Sequence, residues 1–147
     1  MTDNKSNPAL KVAKQQQRES QEVVLSTGIR AILVPVASNA IQEAVAEVIM
    51  PQVPTQEIEG RSQPVENPNH PDYIVALEKA KQEQAQAALD ICIVLGVELI
   101  DGLPEDDKWL KKLQWLAKRN RISLDGYDLE DEMDIEFLYK KHVATGS

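Results

Sequence analysis

Four carboxylates, Asp101, Glu105, Asp106 and Asp107, fall within seven residues in the stretch GVELIDGLPEDDKWLKKL, directly beside the most apolar run of the chain. Acids at that density could cage a divalent cation or share a proton in hydrolysis. A calcium loop, however, needs the alternating order D-x-[DN]-x-[DN]-G, so that several oxygens converge on one point. The order here is D-G-L-P-E-D-D. Two-carboxylate catalysis needs acids held apart across a cleft, which neighbours in one turn do not supply. The spacing instead predicts a helix boundary. Asp101-Gly102 closes one helix through a left-handed glycine, Pro104 fits the first turn of the next, and Glu105, Asp106 and Asp107 complement its positive end.

The remaining reactive side chains are few. Cys92 is the single cysteine, which excludes an internal disulfide and a cysteine-based zinc cluster. Its setting, LDICIVLGV, predicts a buried, inert thiol. His70 reads as a cap or loop residue, and His142, near the end of a helix, as a cation on its negative pole. The chain has no phosphate-cradling glycine loop and no Ser or Cys in a nucleophile elbow. The expectation is no enzyme, no catalytic residue, no metal and no cofactor.

The elements that hold these residues follow from pattern. Residues 1–20 are polar and slightly basic, with few bulky apolar side chains, and predict a disordered N-terminal tail without a signal peptide. Ala9 to Ala13 could close one helical turn. Residues 21–147 are expected to form a single globular domain. EVVLSTGIRAILVPV, rich in β-branched residues and broken by Ser26-Thr27-Gly28, predicts a β-hairpin over 22–36, with Pro35 at an edge or at the strand's exit. SNAIQEAVAEVI predicts a helix over 39–50, with Asn39 and Gln42 as its capping box and Pro51 as its stop. Residues 51–70 read as an extended, proline-rich arm, with TQEIE as a candidate strand. The next element is a long helix, 71–101, entered at Pro71 and capped by Asn69 or His70. Its first half presents Tyr73, Leu77, Ala80, Gln84, Ala87 and Ala88 on one face, and Leu89 to Ile100 is apolar almost all round. A helix over 105–120 packs through Trp109, Leu110, Leu113, Leu116 and Ala117, and a last helix over 129–143 turns Met133, Phe137, Leu138 and Val143 inward. The fold class is α+β and mainly α: a hairpin and arm with a bundle of about four helices.

Composition limits what such a domain can do. Aromatic residues make up 4% of 147 positions, so the core must be aliphatic, with Trp109, Trp115 and Phe137 as its few large fillers. The net charge of -8 argues against nucleic acid or an anionic membrane as partner. The apolar run Ile91 to Val97 is far short of the ~20 residues of a membrane span.

The order of elements, with the phrases GVELIDGLPEDD, NPNHPDY and EFLYKKHVA, resembles the small tail-assembly proteins of long-tailed, siphovirus-like bacteriophages, the tail assembly chaperones. The resemblance covers about residues 22–144. It implies a protein of the host cell cytoplasm that binds the tape-measure protein, shields its apolar stripe and helps recruit tail-tube subunits, with self-association as a further contact. Ile41, Val45 and Val48 on the short helix, with Leu95 and Leu99 on the long one, are the candidate partner-binding residues. The plainer reading of the same five side chains is core. The alternative function is a virion structural subunit, a head–tail connector or tail-completion protein, whose hairpin and arm embrace a neighbour.

Overall fold

The computed structural model describes residues 7–11 and 21–146. The tail expected over 1–20 lies outside them except for 7–11, where residues 8–11 are helical. Asn7 caps that turn, its Oδ1 accepting from the Ala9 amide at 2.9 Å, with Pro8 in the first helical position.

The protein is α+β and divides into two compact units. One contains residues 21–36 and 92–146, and the other is Ala37–Ile91. Their boundary falls inside the long helix.

The first unit is built on a three-stranded antiparallel sheet whose strands, in spatial order, are β1 (Gln21–Val24), β2 (Arg30–Leu33) and β5 (Val97–Leu99). β1 and β2 form the predicted hairpin, with Val24 opposite Arg30. Gly28 turns it with φ +86°, and its amide donates to the Leu25 carbonyl at 2.8 Å. β2 then pairs with β5, Leu33 facing Val97 and Ala31 facing Leu99. β5 corrects the sequence reading, because the long helix, α2, runs Pro71–Gly96 and stops before Val97. Val97 is buried, Glu98 exposed and Leu99 half-buried. That is the two-residue period of a strand, and it wins over a helical reading once β2 offers a free edge.

At Gly96, where α2 gives way to β5, the space a side chain would fill is already taken. A Cβ there would stand 3.0 Å from Val36 Cγ2 and 3.1 Å from the Val34 carbonyl oxygen. The exposed carbonyls of the last turn find partners outside the helix. Val34 N–H donates to Gly96 O at 2.8 Å, and Lys140 Nζ donates to Val94 O at 3.2 Å. The left-handed residue Gly102, at φ +68°, belongs to the turn after β5 rather than to the helix end.

α3 (Lys108–Lys118) starts three residues later than expected, so Pro104 lies ahead of its first turn. Its inner face is as predicted: Leu113 is buried, and Trp109, Leu110, Leu116 and Ala117 are half-buried. α4 (Glu132–Tyr139) also starts late. Residues 124–131 are taken up by turns, and Asp131 caps the helix by accepting from the Met133 and Asp134 amides at 2.8 and 3.3 Å. That start leaves Met133 73% exposed, against the expectation that it turns inward, and Leu138 fully buried. α4 continues as a wider π-helical turn, Lys140–Ala144, closed by Thr145 N–H donating to Lys140 O at 2.9 Å. Thr27 Oγ1 in the hairpin donates to Ala144 O at 2.7 Å, fixing this last turn to the sheet. Tyr139 meets Trp109 edge to face at 5.1 Å, and Phe137 stacks on Tyr127 at 5.8 Å.

The second unit holds α1 (Ser38–Ala46), two short strands and the first turns of α2. Ala37 occupies the N-cap position of α1, and no side chain caps it. Asn39 falls inside the first turn, so the expected capping box does not form. α1 also ends well before Pro51. Glu47 N–H shares the Glu43 and Ala44 carbonyls, a tightening that closes the last turn without proline. The expected extended arm folds back on itself: β3 (Thr55–Gln56) pairs antiparallel with β4 (Val65–Glu66). The Asn67 amide donates to Pro54 O at 2.7 Å and closes the ribbon. α2 opens under His70, whose Nδ1 accepts from the Asp72 amide at 3.2 Å. Along its first half Tyr73, Leu77, Ala80, Gln84, Ala87 and Ala88 are the protected positions, as the sequence pattern predicts.

Close pairing between elements runs along β1–β2, β2–β5 and β3–β4 and through the α4–π junction. Among the described residues no helix is long and apolar enough to cross a membrane.

Candidate functional site

The acidic knot is held from within. Asp101 Oδ1 accepts from Arg30 Nη2 at 2.9 Å, and Asp106 Oδ1 accepts from the Lys108 amide at 3.1 Å. Asp107 pairs with Lys111 one turn on, at 3.5 Å. The Arg30 guanidinium is shared with Glu22 at 3.8 Å, and the Asp101 hydrogen bond and charge hold its pKa above the ordinary arginine value. These acids anchor a turn and a helix start. Among the described residues no group of three or more His, Cys, Asp or Glu is placed to hold a metal ion. Cys92 is a half-buried free thiol, His70 caps α2 and His142 lies half-buried in the π-helical turn.

A cleft of about 340 Å³ lies beside the Arg30–Asp101 pair, lined also by Gly28, Leu99, Pro104 and Tyr139. Burial raises the Tyr139 pKa above the ordinary tyrosine value, so its hydroxyl stays neutral. The lining offers an already paired guanidinium and a phenol.

The apolar surface is more informative. Ile41, Val45 and Val48 line one face of α1 and its exit, each half-buried. Just beyond them Ile49 is 90% exposed, with Met50 beside it in water. On α2, Ile74 and Val75 stand off the protected stripe, Val75 at 70% exposure. Ile74, Leu77, Glu78, Lys81, Gln82 and Ala85 line a shallow groove of about 430 Å³ along that helix. Ala80 is the one buried hydrophobic side chain among the described residues of this unit. Leu95 and Leu99 belong to the other unit. Leu95 is exposed near the end of α2, and Leu99 is half-buried on β5 rather than on a helix.

Ile49, Ile74 and Val75 were not among the residues predicted to meet a partner. Their signal was present in the sequence. Ile74 and Val75 are apolar residues off the protected stripe of α2, and Ile49 continues the apolar spacing of α1 past Ala46, where that helix has ended. No family model matches the chain, and no curated protein or solved structure does so either.

Proposed function

We propose that this chain is a tail assembly chaperone of a long-tailed bacteriophage, acting in the host cytoplasm without catalysis. Ile41, Val45 and Val48, extended by Ile49, would receive the apolar stripe of the tape-measure protein, with Leu95 and Leu99 as further contacts. Tail-tube subunits would be recruited to that complex.

One observation carries the reading. Among the described residues, Ala80 is the only buried hydrophobic side chain of the unit Ala37–Ile91, yet the unit carries Ile49, Ile74 and Val75 in water. A body with so little core gains stability from whatever covers its apolar side chains, at about 1.5–3 kcal/mol for each large one fully buried. A reversible holder of greasy helices needs such a surface together with enough charge to stay dissolved, and the net charge of -8 supplies that. The resemblance in GVELIDGLPEDD, NPNHPDY and EFLYKKHVA supplies the identity of the partner.

The alternative, a connector or tail-completion subunit that remains in the particle, is favoured by β1. That strand is an edge of the sheet, and Val24 is exposed at its end. Such an edge can accept a strand from a neighbour. Quantitative mass spectrometry of purified particles and of lysate during assembly separates the two. Abundance in lysate with absence from particles supports the chaperone. A fixed copy number in particles overturns it.

A further inference from the structure

Six of the sixteen Lys and Arg residues fall between 108 and 121, and no Asp or Glu is among them. Lys108, Lys111, Lys112 and Lys118 on α3 and Arg119 at its C-cap are exposed, and they share one side of the helix. Trp115 lies at the centre of that side, three or four residues from four of the cations. It is 52% exposed, although the scarcity of aromatics predicts it in the core. Arg119 is stacked over its ring at 4.3 Å and Lys111 is paired with Asp107, which leaves Lys108, Lys112 and Lys118 with no ion pair among the described residues. A large half-exposed ring inside a rim of cations has the anatomy of an interface centre: an apolar anchor whose charged surround selects the partner.

The chemistry that fits this face lies a few residues further on. Residues 125–136 contain seven acids. Met133 projects from them with most of its surface in water, and Glu130 and Glu132 make no ion pair among the described residues. No ion pair joins this segment to residues 108–121 within the chain, among the described residues, although both belong to the same compact unit. The two patches are therefore complementary in charge, each with an apolar residue at its centre, and unused by each other.

We propose that the Trp115 face of α3 docks on the Met133 segment of a second copy of this chain. Trp115 meets the Met133 thioether, a favourable sulfur–aromatic contact. Lys112 and Lys118 face Glu130 and Glu132. The contact joins two different patches, so it closes either as a reciprocal pair or as a ring of copies. A polyanion such as nucleic acid would have to meet the same lysines against the field of the acidic chain, which disfavours it. This surface is independent of the tape-measure reading, because it uses none of the α1 residues.

The test is sedimentation equilibrium of the full chain up to about 100 μM, at about 50 mM and about 500 mM salt. Wild type should self-associate and dissociate as salt rises. Trp115→Ala, exposed and so neutral to folding by circular dichroism, should weaken association about tenfold or more. The double variants Lys112→Glu/Lys118→Glu and Glu130→Lys/Glu132→Lys should each be monomeric alone, and should associate when mixed. Recovery in the mixture identifies the pairing, since simple loss of structure would not be rescued. A wild-type chain that stays monomeric at low salt overturns the proposal, as does association that none of these variants changes. Binding of a labelled single-stranded oligonucleotide, lost with Trp115→Ala, in a chain that does not self-associate overturns it in favour of nucleic acid.

Discussion

Lys140 Nζ lies 3.2 Å from the carbonyl oxygen of Val94, with only 6% of the lysine exposed. α2 has no basic residue in its own last turn, and a side chain 46 positions later supplies the missing cation. Its ammonium also meets Glu136 at 3.1 Å. The C-terminal turn and the end of the long helix thus hold each other, by a charge-assisted hydrogen bond at the negative pole of a helix.

Lys140→Ala should be among the more damaging single changes. It removes a buried stem and leaves a last-turn carbonyl without its donor, a loss of about 2–3 kcal/mol. Lys140→Met keeps most of the packing and should lose about half as much. Urea midpoints of the two variants decide the matter. Equal midpoints for Met and wild type would mean that the hydrogen bond contributes nothing.

Gly96→Ala should destabilise by about 1–3 kcal/mol, the range for overpacking a filled site. The added methyl meets Val36 Cγ2 and the Val34 carbonyl. Val36→Ala in the same chain should recover part of the loss, since the side chain can be trimmed while the carbonyl cannot. Thermal midpoints of the two single variants and the double variant measure that recovery.

Stability at alkaline pH should depend on Tyr139. Burial raises its pKa in the folded chain, so the unfolded chain loses the phenolic proton first. The stabilisation is complete below the ordinary tyrosine pKa of about 10 and is lost as pH rises through the higher folded value. Unfolding monitored across pH 9 to 11.5 (about the usable range) should show this downward slope in wild type. Tyr139→Phe should flatten it relative to wild type.

The α1 surface predicts a split between two neighbours. Ile49→Asp alters a side chain that is already in water, so the chain should remain folded by circular dichroism while tape-measure capture falls about tenfold or more. Val45→Asp places a charge on the half-buried face and should lose capture or the folded state. Full capture by both folded variants would remove this face from the proposed site.

The parts of this structure legible in the sequence are those governed by local physics. The hairpin at Gly28, the protected face of α2 from Tyr73 to Ala88 and the inner face of α3 all follow from periodicity and turn chemistry. The parts that were not legible depend on distant partners. Val97–Leu99 is apolar enough for either a helix or a strand, and only the free edge of β2 decides. Trp115 looks like core by composition, but its position on the wheel of α3, among five cations, places it outside. Met133 is exposed because Asp131, rather than an earlier residue, caps α4. Of the five candidate contact residues, the α1 trio could be read as one face. Leu95 and Leu99 could not, because their shared helix ends at Gly96.

The pairing of β2 with β5 also sets an order in time. About 60 residues separate the two strands, and at ~5–20 residues per second a ribosome takes roughly 3–12 s to make them. Throughout that interval the hairpin exists as two strands, a size that is marginal by itself. Ala31, fully covered in the finished sheet, then faces water along an unpaired backbone edge. The nascent chain must therefore complete Ala37–Ile91 before the hairpin acquires a third strand, and any premature partner during synthesis would find its opening on β2.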